Sequence, residues 1–127
     1  MDSSYKIPGG GWLSTVGDLV RFGMAVQDGT LLKPSTFRQM TVARHLNGQN
    51  TGYGLGWIVD GWGPGTPPIP GLVWHGGVQQ GVTTNLYMFP DRHVVVAILA
   101  NLEGQGLAIA ELGEQVARIV IGAPKDR

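Results

Sequence analysis

The stretch LVWHGGVQQGVTTNLYMFPDRHVVVAILAN, residues 72–101, predicts most of a β-sheet. It contains three runs of strand-forming residues, at 72–75, 82–89 and 93–100. The PDRH sequence at the start of the last run indicates a turn, so the second and third strands should form an antiparallel hairpin. Residues 94–100 are apolar at every position, and we therefore expect this strand to be buried on both faces.

Two helices are predicted before the sheet. The first lies within residues 9–29, where Ser14 or Thr15 would cap its start, Asp18 follows in capping-box spacing, and Gly29 would end it. The second lies within residues 33–44, opens with Pro34, and leaves His45 as a cation at its C-terminal end. The NGQNTG sequence then breaks it. The apolar face of the first helix should consist of Val16, Leu19, Val20, Gly23 and Val26.

One more strand and one more helix complete the predicted elements. YGLGWIVD, residues 53–60, is typical of a strand, and the proline-rich residues 61–71 that follow indicate a stiff loop. The last helix is amphipathic. Its predicted apolar face is Leu112, Val116, Ile119 and Val120, and its predicted polar face is Glu111, Glu114, Gln115 and Arg118.

This order of elements predicts the α+β class, with an antiparallel sheet of about four strands, a C-terminal helix packed on it and two N-terminal helices. We expect residues 1–47 to form a helical segment and residues 48–127 to form the sheet with its helix. The last helix covers one face of the apolar strand at 94–100. Because the early helices are short, we expect part of the other covering layer to come from sequence outside this chain.

Composition excludes several classes of function. Nine basic and nine acidic residues balance without a basic stripe, so we expect no nucleic-acid partner. The longest apolar run is far shorter than the ~20 residues of a membrane span. Cysteine is absent, and the three histidines have no ligand spacing, so we expect no metal site. No phosphate-binding glycine loop is present, and we expect no cofactor. The sequence does not indicate a compartment.

The candidate functional residues lie in the WHGGV sequence. Gly76 and Gly77 have no side chains, so a ligand carbonyl or another strand can approach that backbone closely. The amide of Val78 would then be a donor to a developing oxyanion. His75 would donate to a ligand carboxylate or take part in proton transfer. A β-bulge or bend with an exposed histidine explains the same residues, and spacing alone does not separate the two interpretations.

The remaining candidates have simpler interpretations. Ser3 and Lys6 form a Ser-x-x-Lys, but Ile7-Pro8-Gly9 follows at once and cannot continue a helix, so we interpret the match as chance. His93 is interpreted as a solvated turn residue. The tryptophans at 57, 62 and 74 are interpreted as core residues more readily than as the lining of a ligand cleft.

A family resemblance bears on these alternatives. SYKIPGGGWLSTVGDLVRFG, then YGLGW, HGG and LAN, in this order, resemble the C-terminal part of serine β-lactamase-like proteins. That family includes class C β-lactamases, penicillin-binding DD-peptidases, related esterases, and the mitochondrial serine β-lactamase-like protein with its bacterial relatives. GGGWLSTVGDL is most similar to the last of these groups.

The resemblance implies roles for five residues. HGG stands where the family has Lys-Thr-Gly or His-Thr-Gly on a strand that forms one wall of the active site. His75 would match the Lys or His, Gly76 the Thr and Gly77 the Gly, while Val78 would supply one oxyanion-hole amide. Asn101, in LAN, stands where some members contact a substrate carboxylate. Glycine at 76 lacks the hydroxyl that β-lactamases use on that carboxylate, so strong β-lactam hydrolysis is not expected.

The family's nucleophilic Ser-x-x-Lys and its Tyr-x-Asn motif stand upstream of the PGGG loop, and Ser3 is too close to that loop to match. The resemblance therefore implies the C-terminal part of a serine hydrolase that acts by acyl transfer on a peptide, amide or ester. Its partners would be that substrate and either the missing N-terminal part or another copy of the chain. The alternative is a non-catalytic module that self-associates or binds a partner chain through an uncovered face of the sheet.

Overall fold

The computed structural model describes residues 9–59 and 69–122. The helices are α1 (Val16–Gln27), α2 (Pro34–Met40) and α3 (Gly106–Ile121). The strands are β1 (His45–Leu46), β2 (Gln49–Asn50), β3 (Ile58–Val59), β4 (Val73–Gln79), β5 (Val82–Phe89) and β6 (Val94–Ala100). These helices and antiparallel strands confirm the α+β class. The predicted proline-rich loop lies almost wholly outside the described residues, as does Trp62. The expected domain boundary at residue 47 stays a prediction.

The main sheet has four strands in the order β3-β4-β5-β6, and each neighbouring pair is antiparallel. The predicted hairpin is confirmed, because β5 pairs with β6 from Phe89↔Val94 to Thr83↔Ala100. One turn of 3₁₀ helix, Pro90–Arg92, connects these strands, and the exposed His93 closes it with a φ of 51°. Strand β4 is longer than predicted and continues to Gln79 through both glycines.

Helix α1 starts as the sequence predicts. The side-chain oxygen of Thr15 accepts a hydrogen bond from the Asp18 backbone N–H at 3.2 Å, which satisfies one of the free donors of the first turn. The helix packs on one face of the sheet through Gly23 and Val26, both buried. A Cβ at Gly23 would stand 2.8 Å from a methyl of Val95, so glycine at this position allows the helix to lie close to β6.

Helix α3 packs on the opposite face, and the face predicted for it is wrong. Its buried residues are Ile109, Gly113 and Ala117. Leu112, Ile119 and Val120, predicted to be buried, are exposed, and only Val116 of that set is partly buried. The physical reason is the size of Tyr87 on β5, whose ring occupies the space where a Cβ of Gly113 would stand. Opposite Tyr87, the helix therefore presents a glycine to the sheet, with Ile109 and Ala117 buried on the same face.

Two clusters of apolar side chains lie on the two faces of the sheet. The cluster on the α1 side includes Val26, Phe37, Trp57, Leu86 and Met88. The cluster on the α3 side includes Leu72, Tyr87, Phe89, Val96 and Ala117. Strand β6 has a helix on each side, yet of its seven residues only Val96 is buried. The expectation of full burial at 94–100 is therefore met at that one position.

Two other expectations are wrong in detail. His45 does not end a helix but starts β1, because Asn47 and Gly48 form a two-residue turn with φ of 52° and 80° and fold residues 45–50 into a hairpin. The strand predicted at 53–60 is reduced to Ile58–Val59 and a single bridge between Tyr53 and Ile58. Glycines at 52, 54 and 56 bend the backbone there, and two of them have positive φ.

The contact between Gly113 and Tyr87 predicts the effect of a single methyl group. Gly113→Ala should lower the free energy of unfolding by about 1–3 kcal/mol, because the added Cβ overlaps a ring with no room to move. Urea denaturation followed by circular dichroism measures this change. Gly106→Ala, in the same helix with nothing within 4 Å of its Cβ, is the matched control and should be neutral or slightly stabilising. Equal stability of the two variants would contradict the described packing of α3.

Candidate active site

The edge of β4 that faces β3 is open over most of its length. Strand β3 pairs only with Val73 and Trp74. From His75 to Gln79, β4 pairs with β5 on one side, and no other strand among the described residues pairs with its other side. Backbone N–H and C=O groups along a free strand edge are available to an extended ligand. The HGGV sequence therefore lies where a ligand can add to the sheet.

The two glycines lie inside a regular strand. The register between β4 and β5 is continuous from Val73↔Met88 to Gln79↔Val82, without an extra residue on either side. The interpretation of Gly76-Gly77 as a bulge or bend is therefore wrong. Neither glycine has a positive φ, so the backbone conformation itself does not require glycine at these positions.

Side chains on β4 alternate between the two faces of the sheet. His75 pairs with Leu86 and lies on the face that α1 covers, whereas Gly76 and Val78 lie on the face of α3. His75 and Val78 are both exposed, which places the imidazole and the neighbouring backbone within reach of a ligand. The structure thus brings together four of the five predicted site residues on one strand.

Tyr53 contacts His75 and was not singled out by sequence reasoning. Its hydroxyl lies 3.5 Å from Nε2 of His75, and the two rings meet edge to face, with centroids 6.1 Å apart and an interplanar angle of 79°. Which of the two groups donates depends on the tautomer of the imidazole. Tyr53 belongs to the YGLGW sequence, which contributed a predicted strand and part of the family resemblance but no site residue.

Asn85 on the neighbouring strand β5 packs closely against Gly76. The side-chain oxygen of Asn85 occupies the space where a Cβ at position 76 would stand. Asn85 is buried, and its amide nitrogen donates a hydrogen bond of 2.6 Å to the hydroxyl of Tyr87. Glycine at 76 therefore has a packing reason as well as the predicted reason of ligand approach.

Tyr87, which Asn85 connects to Gly76, has a hydroxyl with a raised pKa. Burial raises the pKa of its hydroxyl well above the ordinary value of 10.0, and the nearby carboxylate of Glu114 acts in the same direction. The hydrogen bond from Asn85 lowers the pKa, but its effect is smaller than that of burial. The hydroxyl of Tyr87 consequently stays protonated throughout the neutral range.

Asn101 does not join the HGGV residues. It follows β6, which is separated from β4 by β5, so at ~4.8 Å per strand its backbone lies about 10 Å away across the sheet. The structure places it at the rim of a groove of about 510 Å³. Other residues that line this groove are Trp12, Leu13, Val82, Thr84 and Leu99.

Three other expectations concern metal, membrane and the Ser-x-x-Lys match. Within residues 9–59 and 69–122, no three histidine or acidic side chains gather as a metal site would require. None of the helices in that part of the chain has the length and hydropathy of a membrane span. Ser3 and Lys6 lie outside the described residues.

Comparison with known proteins identifies the class. The chain belongs to the β-lactamase family, because the family model described as Beta-lactamase matches residues 1–118. It is similar to Penicillin-binding protein 4* of Bacillus subtilis (strain 168), with 28% identity over 122 residues. That match covers 94% of this chain and 26% of the relative, so the chain spans about a quarter of the length of the curated relative it matches. No solved structure matches the chain significantly. Membership in the family that the sequence resembles is thereby confirmed.

The raised pKa of Tyr87 predicts how stability changes in alkaline solution. The unfolded chain loses this proton near pH 10, whereas the folded chain retains it, so the free energy of unfolding should fall as the pH rises above 10. The contribution of one such group is about 1.4 kcal/mol per pH unit. Urea denaturation between pH 8 and pH 11 should therefore show a shallower decline for Tyr87→Phe than for the natural sequence. Equal slopes would show that the Tyr87 hydroxyl ionises as easily in the folded state as in the unfolded one.

Proposed function

We propose that this chain forms the substrate wall and part of the oxyanion hole of a serine hydrolase that acts by acyl transfer on a peptide, amide or ester. The nucleophile would come from a part of the protein outside these 127 residues. The observation that supports this proposal best is the edge of β4 from His75 to Val78, with which none of the described strands pairs, in a chain of the β-lactamase family. Bare backbone at Gly76 and Gly77 lets a flat acyl group lie against that edge.

In this reaction, the oxygen of a serine attacks the carbonyl carbon of the substrate, and the carbonyl oxygen gains negative charge. The backbone N–H of Val78 would donate to that oxygen, together with the N–H of the serine itself. The bond to the leaving alcohol or amine then breaks, with a proton delivered to the leaving group, and an acyl-enzyme remains. Water attacks the acyl-enzyme and releases the acid.

His75 would contact the substrate beside the scissile bond or transfer a proton there. Its exposed imidazole meets the hydroxyl of Tyr53 on the α1 side of β4, so Tyr53 would orient the ring. Gly77 shares that face and offers no side chain to obstruct the substrate. Gly76 supplies no hydroxyl, which favours substrates without a carboxylate next to the acyl group over β-lactams. Asn101 would contact only the distal end of a larger substrate.

The size of the relative supports an incomplete catalytic centre in this chain. The chain spans 26% of Penicillin-binding protein 4*. We propose that the remaining part of a longer protein completes the site and carries the Ser-x-x-Lys motif. No cofactor or metal takes part in the proposed chemistry.

Treatment of the chain with acylating probes tests this proposal. After incubation with a fluorophosphonate and, separately, with a reactive penicillin, the intact mass of the 127-residue chain should not change, because the proposed nucleophile lies outside these residues. The Ser3→Ala variant is the matched control for the one Ser-x-x-Lys in the sequence. A stoichiometric adduct mapped to Ser3, and lost in that variant, would mean that the chain is a complete acyl-transfer enzyme.

A second candidate function, a non-catalytic module that self-associates, is favoured by the outer edge of β6. This strand is apolar throughout, and none of the described strands pairs with its outer edge. On α3, Ala110 lines a cavity together with Gly76 and Val78 and therefore lies on the β4 side of the helix. Successive residues of a helix are rotated by about 100°, so the exposed Leu112 and Ile119 lie on the opposite side of α3, towards β6. We call this side the β6 flank of α3. An apolar strand edge beside exposed apolar side chains is a typical surface for association.

Sedimentation velocity, combined with a charge on α3, tests the self-associating module. A self-associating module should sediment as a dimer, and Ile119→Asp should convert it to a monomer. Leu107→Asp, at an equally exposed position outside that flank, should leave the dimer intact. A chain that sediments as a monomer at all concentrations would contradict the self-associating module.

A further inference from the structure

Asn85 is a buried polar residue in the middle of the sheet. Only 7% of its surface is exposed, and it lies on β5 directly opposite Gly76 of β4. Burying an amide is unfavourable unless it is hydrogen-bonded, so the contacts of this side chain bear on the stability of the sheet. The family resemblance assigned no role to it.

A continuous series of contacts runs from α3 to the open edge of β4 through this residue. The ring of Tyr87 occupies the space above Gly113 on α3. The hydroxyl of Tyr87 accepts a hydrogen bond of 2.6 Å from Asn85. The amide oxygen of Asn85 then stands against Gly76. A glycine lies at each end of the series, and in each case a buried neighbour fills the space of the missing Cβ.

We propose that Asn85 is a positioning residue for the substrate wall, and that it determines which residue type position 76 accepts. The amide of Asn85, hydrogen-bonded to Tyr87, excludes any side chain at position 76. It also packs against β4 on the α3 face, two residues before Val78, whose N–H must meet a ligand. At position 76 the wall therefore offers a ligand only its backbone. The catalytic relevance of this role rests on the proposed function, whereas the coupling between positions 76 and 85 does not.

Glycine at position 76 could also be required by backbone strain or by the need to leave room for a ligand, and each of these reasons predicts a different result from the coupling with Asn85. Gly76 has no positive φ, so backbone strain does not require it. If glycine were needed only to leave room for a ligand, a methyl group at 76 would not interact with the identity of residue 85. The structure instead places the side-chain oxygen of Asn85 where a Cβ of residue 76 would stand. Gly76 and Asn85 both line a cavity of about 260 Å³ beside it. Shortening Asn85 would open the space that a methyl group at 76 needs.

The test is a double-mutant cycle on the 127-residue chain, measured by urea denaturation. Gly76→Ala should raise the equilibrium constant for unfolding in the natural background by about 10-fold more than in the Asn85→Ala background. Gly77→Ala is the matched control. Its Cβ would meet only the side chain of Thr84, at 3.3 Å and on the other face, so its effect should be the same with Asn or Ala at position 85. If Asn85→Ala does not fold, Asn85→Ser replaces it in the cycle.

Amide resonances of the folded variants report on position rather than on stability. In ¹H–¹⁵N spectra, Gly76→Ala should shift the signals of Gly77 and Val78, and the second change at Asn85 should return them towards their original positions. Additive effects of Gly76→Ala and Asn85→Ala on unfolding, or an equal coupling for Gly77→Ala, would overturn the proposal. The cycle needs no turnover, so a failure of the acyl-transfer proposal would leave its result unchanged, and a failure of the cycle would leave acyl transfer untouched.

Discussion

The packing of Tyr87 between the sheet and α3 is the contact on which the rest of the described structure depends. Its side chain is fully buried, and its ring fills the space that Gly113 leaves on the helix. This contact decides which face of α3 meets the sheet. Through Asn85 it also reaches β4 at Gly76, so one aromatic ring connects the helix layer with the strand edge that carries the candidate site.

On the opposite face of the sheet, a helix glycine again packs against a larger side chain of a strand. Gly23 of α1 lies against Val95 of β6, as Gly113 of α3 lies against Tyr87 of β5. Helices α1 and α3 therefore each approach the sheet through a glycine, and close packing in protein interiors makes these positions sensitive to a single methyl group. The high glycine content of the chain, 21 residues, is explained here partly by packing and only partly by turns.

Sequence patterns predicted the elements better than they predicted the contacts. The strand at 82–89, the cap at Thr15 and the start of α2 at Pro34 follow local rules, and the structure has them where the sequence indicated. The buried face of α3 was missed because a pattern of apolar residues favours Leu112 and Ile119, whereas the fit against Tyr87 selects Gly113 and Ala117. The hairpin at 45–50 was missed although Asn47-Gly48 is a strong local signal for such a turn.

The candidate site shows the same division. His75, Gly76, Gly77 and Val78 are adjacent in the sequence, but the strand predicted from the residues ended at His75, and only the family resemblance placed HGG on a strand. Tyr53 and Asn85 come from segments 22 residues before His75 and 9 residues after Gly76, and only the folded chain places them beside β4. No local pattern reports such contacts. Asn101 was carried over from the family resemblance, and in the sheet it lies two strands away from His75.

The central claim is that the HGGV edge of β4 binds the reacting carbonyl in an acyl-transfer enzyme. A crystal structure of the longer protein that contains this chain, with a phosphonate bound covalently to its nucleophilic serine, tests that claim most directly. The account predicts a phosphonyl oxygen about 2.7–3.1 Å from the backbone nitrogen of Val78, with the phosphonate lying against Gly76 and Gly77. A phosphonate bound to a serine elsewhere, with no contact to the β4 edge, would contradict it.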